Sequence, residues 1–265
     1  MYRLIERLGH PTICTVGDVM LDRWCFGVCK RKTREYGVEH DICDVTEEKF
    51  SCGGATNAAR HIASLGGTTI LIGVIGNDIW GKHLRNLCSF ENIIFHLFTD
   101  DTRCTTVKTR VICSDFYLRF DCEERAPLPP AVQDSIIEHI HNQKVDGFLV
   151  SDYAKGMVTT RVASTIRATG KPFIVDPKRS GLNNYAGTTL IKPNRAEFDE
   201  EDLTLLKEFA PLAITHGAQG IELREGDNSE FWPAWKVPTR DAVGAGDAVV
   251  AGIAISLVSG LNLRE

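Results

Sequence analysis

A glycine-rich stretch near the carboxyl end of the chain contains the residues best suited to chemistry. Gly244, Ala245 and Gly246 are followed at once by Asp247 and by small apolar residues that predict a helix. The first backbone N–H groups of a helix lack partners and carry about half a positive charge, so small residues there let an anion approach closely. A carboxylate at that point repels phosphate unless it has a use, such as accepting a proton from an attacking hydroxyl. The stretch therefore indicates phosphoryl transfer to an alcohol.

The same stretch has a second interpretation, which its own residues leave open. Glycine-rich turns precede many helices, and an aspartate in the first turn stabilises any helix. A further segment, from Gly76 to His83, nearly fits the spacing of a nucleotide-binding P-loop. Its last residue is a histidine where a P-loop needs a hydroxyl for Mg²⁺, which argues against a P-loop. The choice between a plain helix start and a phosphoryl-transfer site depends on the rest of the chain.

The composition is ordinary for a globular protein of 265 residues, with 43% hydrophobic and 25% charged residues. The net charge of -5 gives no reason to expect nucleic acid or an anionic membrane as a partner. A basic run at residues 30–34 is interpreted as a solvated loop or a patch for an anionic substrate. The amino-terminal residues show no signal peptide, and the apolar stretch from Ala248 to Leu261 is shorter than the ~20 residues that span a bilayer. We therefore expect a cytoplasmic protein.

Nine cysteines occur in the chain, and they form no C-x-x-C pair. Their number is odd and several lie in apolar, strand-like runs, which favours free buried thiols in a reducing compartment. The spacing of Cys25, Cys29, Cys43 and Cys52 fits no usual zinc pattern, so a zinc site from these four is not expected.

Apolar strands alternate with helices along most of the chain, which predicts an α/β fold with a mainly parallel sheet covered by helices on both faces. Strands are predicted at residues 12–16, 69–75, 93–98, 147–150, 172–175, 188–191, 212–215 and 221–224. Helices are predicted at residues 56–65, 80–88, 131–141 and 159–168. More alternating runs near residues 39–52 and 105–121 do not suit the interior of such a sheet, so they predict a small antiparallel β lid. We expect one domain, residues 1–265, with lid strands from about 23–52 and 104–122.

Polar segments follow several predicted strands, at the positions where open α/β sheets place their ligands. They are residues 17–23, 51–57, 151–156, 176–178 and 191–197. Each segment alone could be an ordinary turn, because Asp, Asn, Gly and Pro are common in turns. Five of them, together with the Gly-Ala-Gly-Asp helix start, favour a ligand site at one edge of the sheet.

Four motifs together resemble the ribokinase/PfkB family of carbohydrate kinases. They are Gly53-Gly54-Ala-Thr-Asn57, residues 73–81, Asn194-Arg-Ala-Glu197 and Asp241-Ala-Val-Gly244-Ala-Gly-Asp247. Residues 16–24, 61–66, 118–121, 149–156 and 175–178 further resemble the kinase module of bacterial ADP-heptose synthesis. The resemblance implies a ribokinase-like fold and phosphorylation of D-glycero-D-manno-heptose 7-phosphate at its anomeric hydroxyl, with ATP and Mg²⁺. Another sugar kinase of the family and a catalytically silent sugar-phosphate-binding relative remain alternatives.

The resemblance also implies roles for single residues. Asp247 matches the catalytic base, and Gly244, Ala245 and Gly246 match an anion hole for the transferring phosphoryl group. Asn194 and Glu197 match a pair that organises Mg²⁺, through water.

Other matched positions surround the two substrates. Those on the nucleotide side are Thr215, Gly217 and, as a phosphate contact, Lys178. Those on the sugar side are Asp22, Gly53, Gly54, Asn57 and, as a phosphate contact, Lys155. The lid is expected to exclude water and to mediate a homodimer, as it often does in this family.

The chain departs from the family pattern at several places. Ala242 stands where a hydroxyl residue is common, and His61 stands where heptose kinases tend to have Asn. Residues 32–40 lack the Pro-rich pattern expected near the sugar. The family continues beyond the Gly-Ala-Gly-Asp helix with helices that close the adenine pocket, whereas this sequence stops at Glu265. A kinase domain with a short carboxyl end and no nucleotidyltransferase module is therefore expected.

Overall fold

The computed structural model describes residues 7–113, 116–237 and 243–264. Its strands are β1 (Thr12–Gly17), β2 (Val19–Glu35), β3 (Val38–Gly54), β4 (Thr68–Gly76), β5 (Ile93–Asp100), β6 (Val107–Cys113), β7 (Phe116–Cys122), β8 (Gly147–Ser151), β9 (Phe173–Asp176), β10 (Leu190–Ile191), β11 (Leu212–Thr215), β12 (Gly220–Glu225) and β13 (Asn228–Pro233). Its α-helices are α1 (Ala55–Ser64), α2 (Ile79–Leu87), α3 (Pro130–His141), α4 (Thr160–Ala168), α5 (Glu200–Lys207) and α6 (Ala245–Val258). No helix in these ranges is both long enough and apolar enough to cross a membrane.

The larger sheet has the strand order β13-β12-β11-β10-β9-β8-β1-β4-β5. All of its neighbouring pairs from β5 to β11 are parallel, and β12 and β13 extend it as antiparallel strands. Successive residues of β1 point to opposite faces, so Ile13 and Cys14 enter two different hydrophobic clusters, and both are fully buried. Burial on both faces explains the continuous apolar runs in the sequence, and the predicted α/β fold is confirmed.

The smaller sheet forms the lid and has the strand order β3-β2-β6-β7. Its outer pairs are antiparallel, as predicted, but β2 and β6 run parallel because β6 is reached by a crossover through the large sheet. β2 and β3 are each 17 residues long, so they extend well beyond the strand-like pieces expected at residues 39–52. The turn predicted at residues 113–115 has Ser114 and Asp115 outside the described residues.

The carboxyl edge of the parallel strands lies directly beneath the lid. Gly17, Ser151 and Asp176, the last residues of β1, β8 and β9, are aligned in register. β2 begins two residues after β1 ends, and β3 leads without a break into α1. These two short connections join the edge of the large sheet to the lid. Helix α6 packs against α1.

Candidate active site

The start of α6 forms one wall of the site. Its N-cap, Gly244, has φ 81°, a left-handed conformation that glycine adopts without strain. A β-carbon at this position would also lie 2.6 Å from the side-chain nitrogen of Asn57. The sequence thus places a glycine where both the backbone turn and the close approach of Asn57 require one. Asp241 and Ala242, the beginning of the motif, lie outside the described residues.

Asp247 is held in the first turn of α6 and is only 6% exposed. Its Oδ2 accepts a hydrogen bond of 2.8 Å from Asn57 Nδ2, and its Oδ1 accepts one of 2.8 Å from the hydroxyl of Tyr153. α1 supplies Asn57, and the segment after β8 supplies Tyr153. Each carboxylate oxygen has capacity for a second hydrogen bond. The carboxylate is therefore fixed in direction but can still accept a proton from a bound hydroxyl.

A buried lysine lies next to the same helix start. Lys192 follows β10 and is 3% exposed, and its Nζ would lie 3.3 Å from a β-carbon at Gly246. It forms an ion pair of 3.0 Å with Asp176, the last residue of β9. Burial raises the pKa of Asp176 to about 6, although the charge of Lys192 opposes that rise. The helix start is thus backed by a positive charge, which suits a site for phosphate.

Tyr153 connects Asp247 to two further lysines. The Nζ atoms of Lys108 and Lys178 lie 5.0 Å and 5.5 Å from the centre of its ring, on the scale of cation–π contacts. Burial and the nearby Asp247 raise the pKa of its phenol, so the hydroxyl remains protonated and donates to that carboxylate. Lys178 is also paired with Glu197. Asp247, Lys178 and, from the lid, Lys108 therefore converge around this tyrosine.

Asp22 lies on the lid strand β2, where it pairs with Ser51 and lies next to the glycine pair at the end of β3. Arg110 donates a hydrogen bond of 2.7 Å to its Oδ1. A β-carbon at Gly53 would lie 2.2 Å from its other oxygen, so only glycine leaves room for this carboxylate. Gly54 pairs with Val19 in the same ladder and leads into α1. The structure therefore brings the predicted residues Asp22, Gly53 and Gly54 together.

The segment after β8 is anchored by a buried carboxylate. Asp18 accepts backbone hydrogen bonds from Tyr153, Lys155 and Met157 at 2.7, 3.2 and 3.3 Å. Burial raises the pKa of Asp18, and these three donors oppose the rise. Lys155 in turn forms an ion pair of 2.5 Å with Glu123, just beyond the lid strand β7. The anchoring fixes both Tyr153 and Lys155 relative to the sheet edge.

The predicted nucleotide side lies at the ends of β10 and β11. Asn194 and Thr215 form a parallel bridge, and the Oδ1 of Asn194 accepts a hydrogen bond of 3.1 Å from the backbone N–H of Ala196. Glu197 is exposed and pairs with Lys178. Since Lys178 also contacts the ring of Tyr153, it connects the predicted nucleotide side to that ring. Gly217 begins the turn after β11, with open space around its α-carbon.

Four residues of the arrangement were not among the predicted site residues: Lys108, Arg110, Tyr153 and Lys192. Tyr153 and Lys192 lie in polar segments that the sequence did mark, after β8 and β10. Their residue types gave no reason to select them within those segments. Arg110 and Lys108 alternate along a strand of the lid, and only the pairing of β6 with β2 shows that they approach Asp22.

The sequence is similar to those of known carbohydrate kinases. A family model described as "pfkB family carbohydrate kinase" matches residues 11–265. The chain is 37% identical over 286 residues to the bifunctional protein HldE of Nitrobacter winogradskyi, covering 98% of this chain and 58% of that protein. It is 35% identical to HldE of Bradyrhizobium diazoefficiens, with coverage of 98% and 58%. The chain thus spans less than two thirds of the length of these curated relatives.

Solved structures of carbohydrate kinases share the fold. Phosphofructokinase-2 from Escherichia coli in complex with fructose-6-phosphate superimposes with a TM-score of 0.74 at 21% identity, covering 96% of this chain and 89% of that one. Ribokinase from Arabidopsis thaliana, complexed with ribose and ATP, gives a TM-score of 0.67 at 15% identity, with coverage of 97% and 88%. At such identities the likeness shows a common ribokinase-like architecture.

Proposed function

The chain belongs to the pfkB family of carbohydrate kinases, and on that premise we propose that it phosphorylates D-glycero-D-manno-heptose 7-phosphate at the anomeric hydroxyl. The product is the 1,7-bisphosphate, and the phosphoryl donor is ATP. One observation carries the proposal: Asp247 is fixed by Asn57 and Tyr153 at a helix start. The oxygen of the acceptor hydroxyl attacks the γ-phosphorus, its proton passes to Asp247, and the bond from the γ-phosphorus to ADP breaks.

The helix start stabilises the charge that develops during this transfer. The N–H groups of Ala245 and Gly246 precede Asp247 in the first turn of α6 and have no partner within the helix. They act on the oxygens of the transferring phosphoryl group, and the positive charge of Lys192 lies behind them. We propose Lys178 as a phosphate contact, because it approaches the ring of Tyr153 and pairs with Glu197 on the nucleotide side.

Asn194 and Glu197 are the residues that we propose to hold Mg²⁺. Their amide and carboxylate oxygens are the ligand types that this hard cation prefers, and Mg²⁺ commonly keeps several waters between itself and the protein. When bound, the ion neutralises charge on the phosphates of ATP. Thr215, which bridges to Asn194, and Gly217 shape the neighbouring turn for the nucleotide.

Cationic side chains near Asp22 favour a phosphorylated acceptor. Burial lowers the pKa of Lys108, and the positive charges of Arg119 and Lys155 act in the same direction, whereas Asp22 opposes them. A bound phosphate group would add negative charge among these cations and stabilise the charged form of Lys108. A neutral sugar would not stabilise that charged form. The match to HldE supports a heptose phosphate over other sugar phosphates, although any phosphosugar would benefit from the same cations.

The lid gives a reason to propose a homodimer. Phe116, Tyr117, Leu118 and Phe120 of β7 are 40%, 62%, 46% and 51% exposed, so this strand presents an apolar surface at the edge of the lid sheet. We expect two copies to cover it against each other. Light scattering of the wild-type chain and of Phe120→Asp tests this pairing, and a monomeric wild type would contradict it.

A coupled assay of ADP release tests the proposed reaction. The acceptors are heptose 7-phosphate, fructose 6-phosphate and ribose, and we expect the highest kcat/KM with heptose 7-phosphate. Higher kcat/KM with fructose 6-phosphate would assign the chain to another sugar kinase of the family. Tight binding of the heptose phosphate without turnover would identify a silent binding protein.

A pair of lysine variants tests the preference for a phosphorylated acceptor. Lys108→Met should raise KM for the sugar phosphate by about tenfold, the effect of losing ~1.4 kcal/mol of binding. Lys49→Met is the matched control, because its Nζ lies 5.2 Å from the Phe26 ring, a similar cation–π contact elsewhere in the lid. An equal change in KM in the two variants would rule out a specific phosphate contact for Lys108.

A further inference from the structure

Three cysteines that are far apart in the sequence meet in the lid sheet. Cys29 belongs to β2, Cys43 to β3, and Cys113 ends β6. Their three Sγ atoms all lie within 4.8 Å of one another, and those of Cys43 and Cys113 are 2.9 Å apart. The three residues are called here the lid thiol cluster. The sequence spacing gave no sign of it, because Cys113 lies 70 residues beyond Cys43.

The lid is built so that thiols from its two flanking strands can meet across the central one. β2 runs between β3 and β6, and its ladder with β3 is interrupted twice, between Phe26 and Gly27 and between Val28 and Arg31. A β-carbon at Gly27 would lie 2.6 Å from the Sγ of Cys43. The bare backbone of Gly27 therefore leaves the space that this thiol occupies, and the interruptions bring Cys29 to the same point.

We propose that the lid thiol cluster binds one thiophilic metal ion of the Zn²⁺ type, with the three thiolates as protein ligands and water in the fourth position. Zinc–sulfur bonds of about 2.3 Å place the sulfurs of a tetrahedral site roughly 3.8 Å apart. Small rotations of the three side chains produce such a triangle from the observed one. On binding, three S–H bonds break, three S–Zn bonds form, and three protons go to solvent.

The surroundings of the cluster suit a metal-bound set of thiolates. Cys113 is 6% exposed, whereas Cys29 and Cys43 are half-buried, so an ion can enter from solvent and still be enclosed on one side. Three thiolates around Zn²⁺ leave one net negative charge. Lys30 and Arg31 follow Cys29 directly in the sequence and belong to its basic run. Arg31 also pairs with Asp44, the residue after Cys43.

A metal ion uses all three thiols, which a disulfide cannot do. A bond between Cys43 and Cys113 would need an oxidant and would leave Cys29 without a role. The ion would instead join β2, β3 and β6 at one point. Asp22 lies seven residues before Cys29 on the same strand, so the ion would stiffen the part of the lid that extends away from the sugar side. Because the metal ion would bind the folded state and not the unfolded one, it should also raise the unfolding temperature.

The test begins with the wild-type chain, purified with a phosphine reductant and freed of metal with a chelator. Zn²⁺ is titrated in competition with a chromophoric chelator, and we expect one ion per chain. Co²⁺ is then used as a spectroscopic probe, and we expect sulfur-to-cobalt charge-transfer absorption. Cys29→Ser, Cys43→Ser and Cys113→Ser should each weaken Zn²⁺ binding by at least about 100-fold, since outer-shell changes alone cost about 10–100-fold.

Cys122→Ser is the matched control, because Cys122 lies in the same lid on β7 and is exposed. It should bind Zn²⁺ as the wild type does. A measurement on the unmodified chain avoids any failure of a variant to fold: Zn²⁺ should slow alkylation of the three cluster thiols and not that of Cys122. No stoichiometric binding, equal binding in all four variants, or a Cys43–Cys113 disulfide in place of bound metal would overturn the proposal.

Discussion

Asp247→Asn separates proton transfer from every other function of this side chain. The amide has the size of the carboxylate, and its oxygen can still accept the hydrogen bond from Asn57 that measures 2.8 Å in the wild type. Its NH₂ group then faces Tyr153, whose hydroxyl must turn to accept instead of donating. Both hydrogen bonds then lose their charged partner, which costs about 1.5–3 kcal/mol of unfolding free energy. Since domains of this kind unfold with about 5–15 kcal/mol, the variant should remain folded.

The rate of the variant should fall far more than its stability. A positioned general base contributes about 10²–10⁴-fold to a rate, or roughly 3–5 kcal/mol of transition-state stabilisation. We therefore expect kcat to fall by about 10²–10⁴-fold, with KM for the sugar phosphate changed by less than about threefold. The assay is coupled ADP release at saturating ATP, with far-UV circular dichroism to confirm the fold.

Tyr153→Phe is the control for this variant, because it removes one hydrogen bond to Asp247 and leaves the carboxylate in place. Most of this bond's contribution is common to the ground state and the transition state, so about 1 kcal/mol should appear in the barrier and kcat should fall by only about fivefold. If Asp247→Asn kept kcat within tenfold of the wild type, or changed KM alone, Asp247 could not be the base.

Three further predictions concern Gly244, Lys192 and Asp152. Gly244→Ala should lower the unfolding free energy by about 1–2 kcal/mol, because the backbone there is left-handed, and it should also lower kcat by displacing Asn57. Gly170→Ala is the control, since Gly170 has φ 68° and open space around it. It should show only the loss of stability in denaturant titrations. Lys192→Met should lower kcat/KM for ATP by at least about tenfold in the coupled assay, because it removes the cation behind the helix start. Burial and a neighbouring carboxylate raise the pKa of Asp152 to about 7, above its unfolded value, so the native state binds more protons between about pH 4 and pH 7. The unfolding free energy should therefore fall as pH rises through that range, by up to about 1.4 kcal/mol per pH unit, and Asp152→Asn should flatten the dependence measured by denaturant titration.

The parts of the fold that the sequence predicted are those with uniform surroundings. β1, β4 and β8 are buried on both faces, so every residue of each strand is under the same selection for apolar character. Ile13 and Leu149 enter one hydrophobic cluster while Cys14 and Phe148 enter the other. Such runs mark a strand regardless of the direction in which any one side chain points, and the predicted parallel sheet was confirmed.

The outer lid could not be predicted in the same way. Beyond Cys25, most residues of β2 are partly or fully exposed, so neither the strand nor its 17-residue length is reflected in an apolar pattern. β13 is exposed throughout and was not predicted. α5 was also missed, although Asp199 and Asp202 form a reciprocal cap at its start that the sequence does display.

The sequence likewise selected some residues of the site and missed others. Motifs in the sequence selected Asp247, Asn57 and Asp22, and the structure joins the first two directly and places the third on the lid beside Gly53. The roles assigned to these residues remain predictions. Tyr153 and Lys192 could not be selected, because their importance comes from burial and from partners that lie far away in the chain.

The partners of the acidic side chains give a physical reason why Asp247 is the one suited to take up a proton. Asp22, Asp176 and Glu197 each face a cation, respectively Arg110, Lys192 and Lys178. Protonating Asp22 or Asp176 would break a mostly buried ion pair, and the remaining cation would lose its partner at a cost of several kcal/mol. Asp247 instead accepts its hydrogen bonds, within the described residues, from the neutral amide of Asn57 and the neutral phenol of Tyr153. Proton uptake there leaves no cation without its partner, which is why we assign the role of base to Asp247 among these four carboxylates.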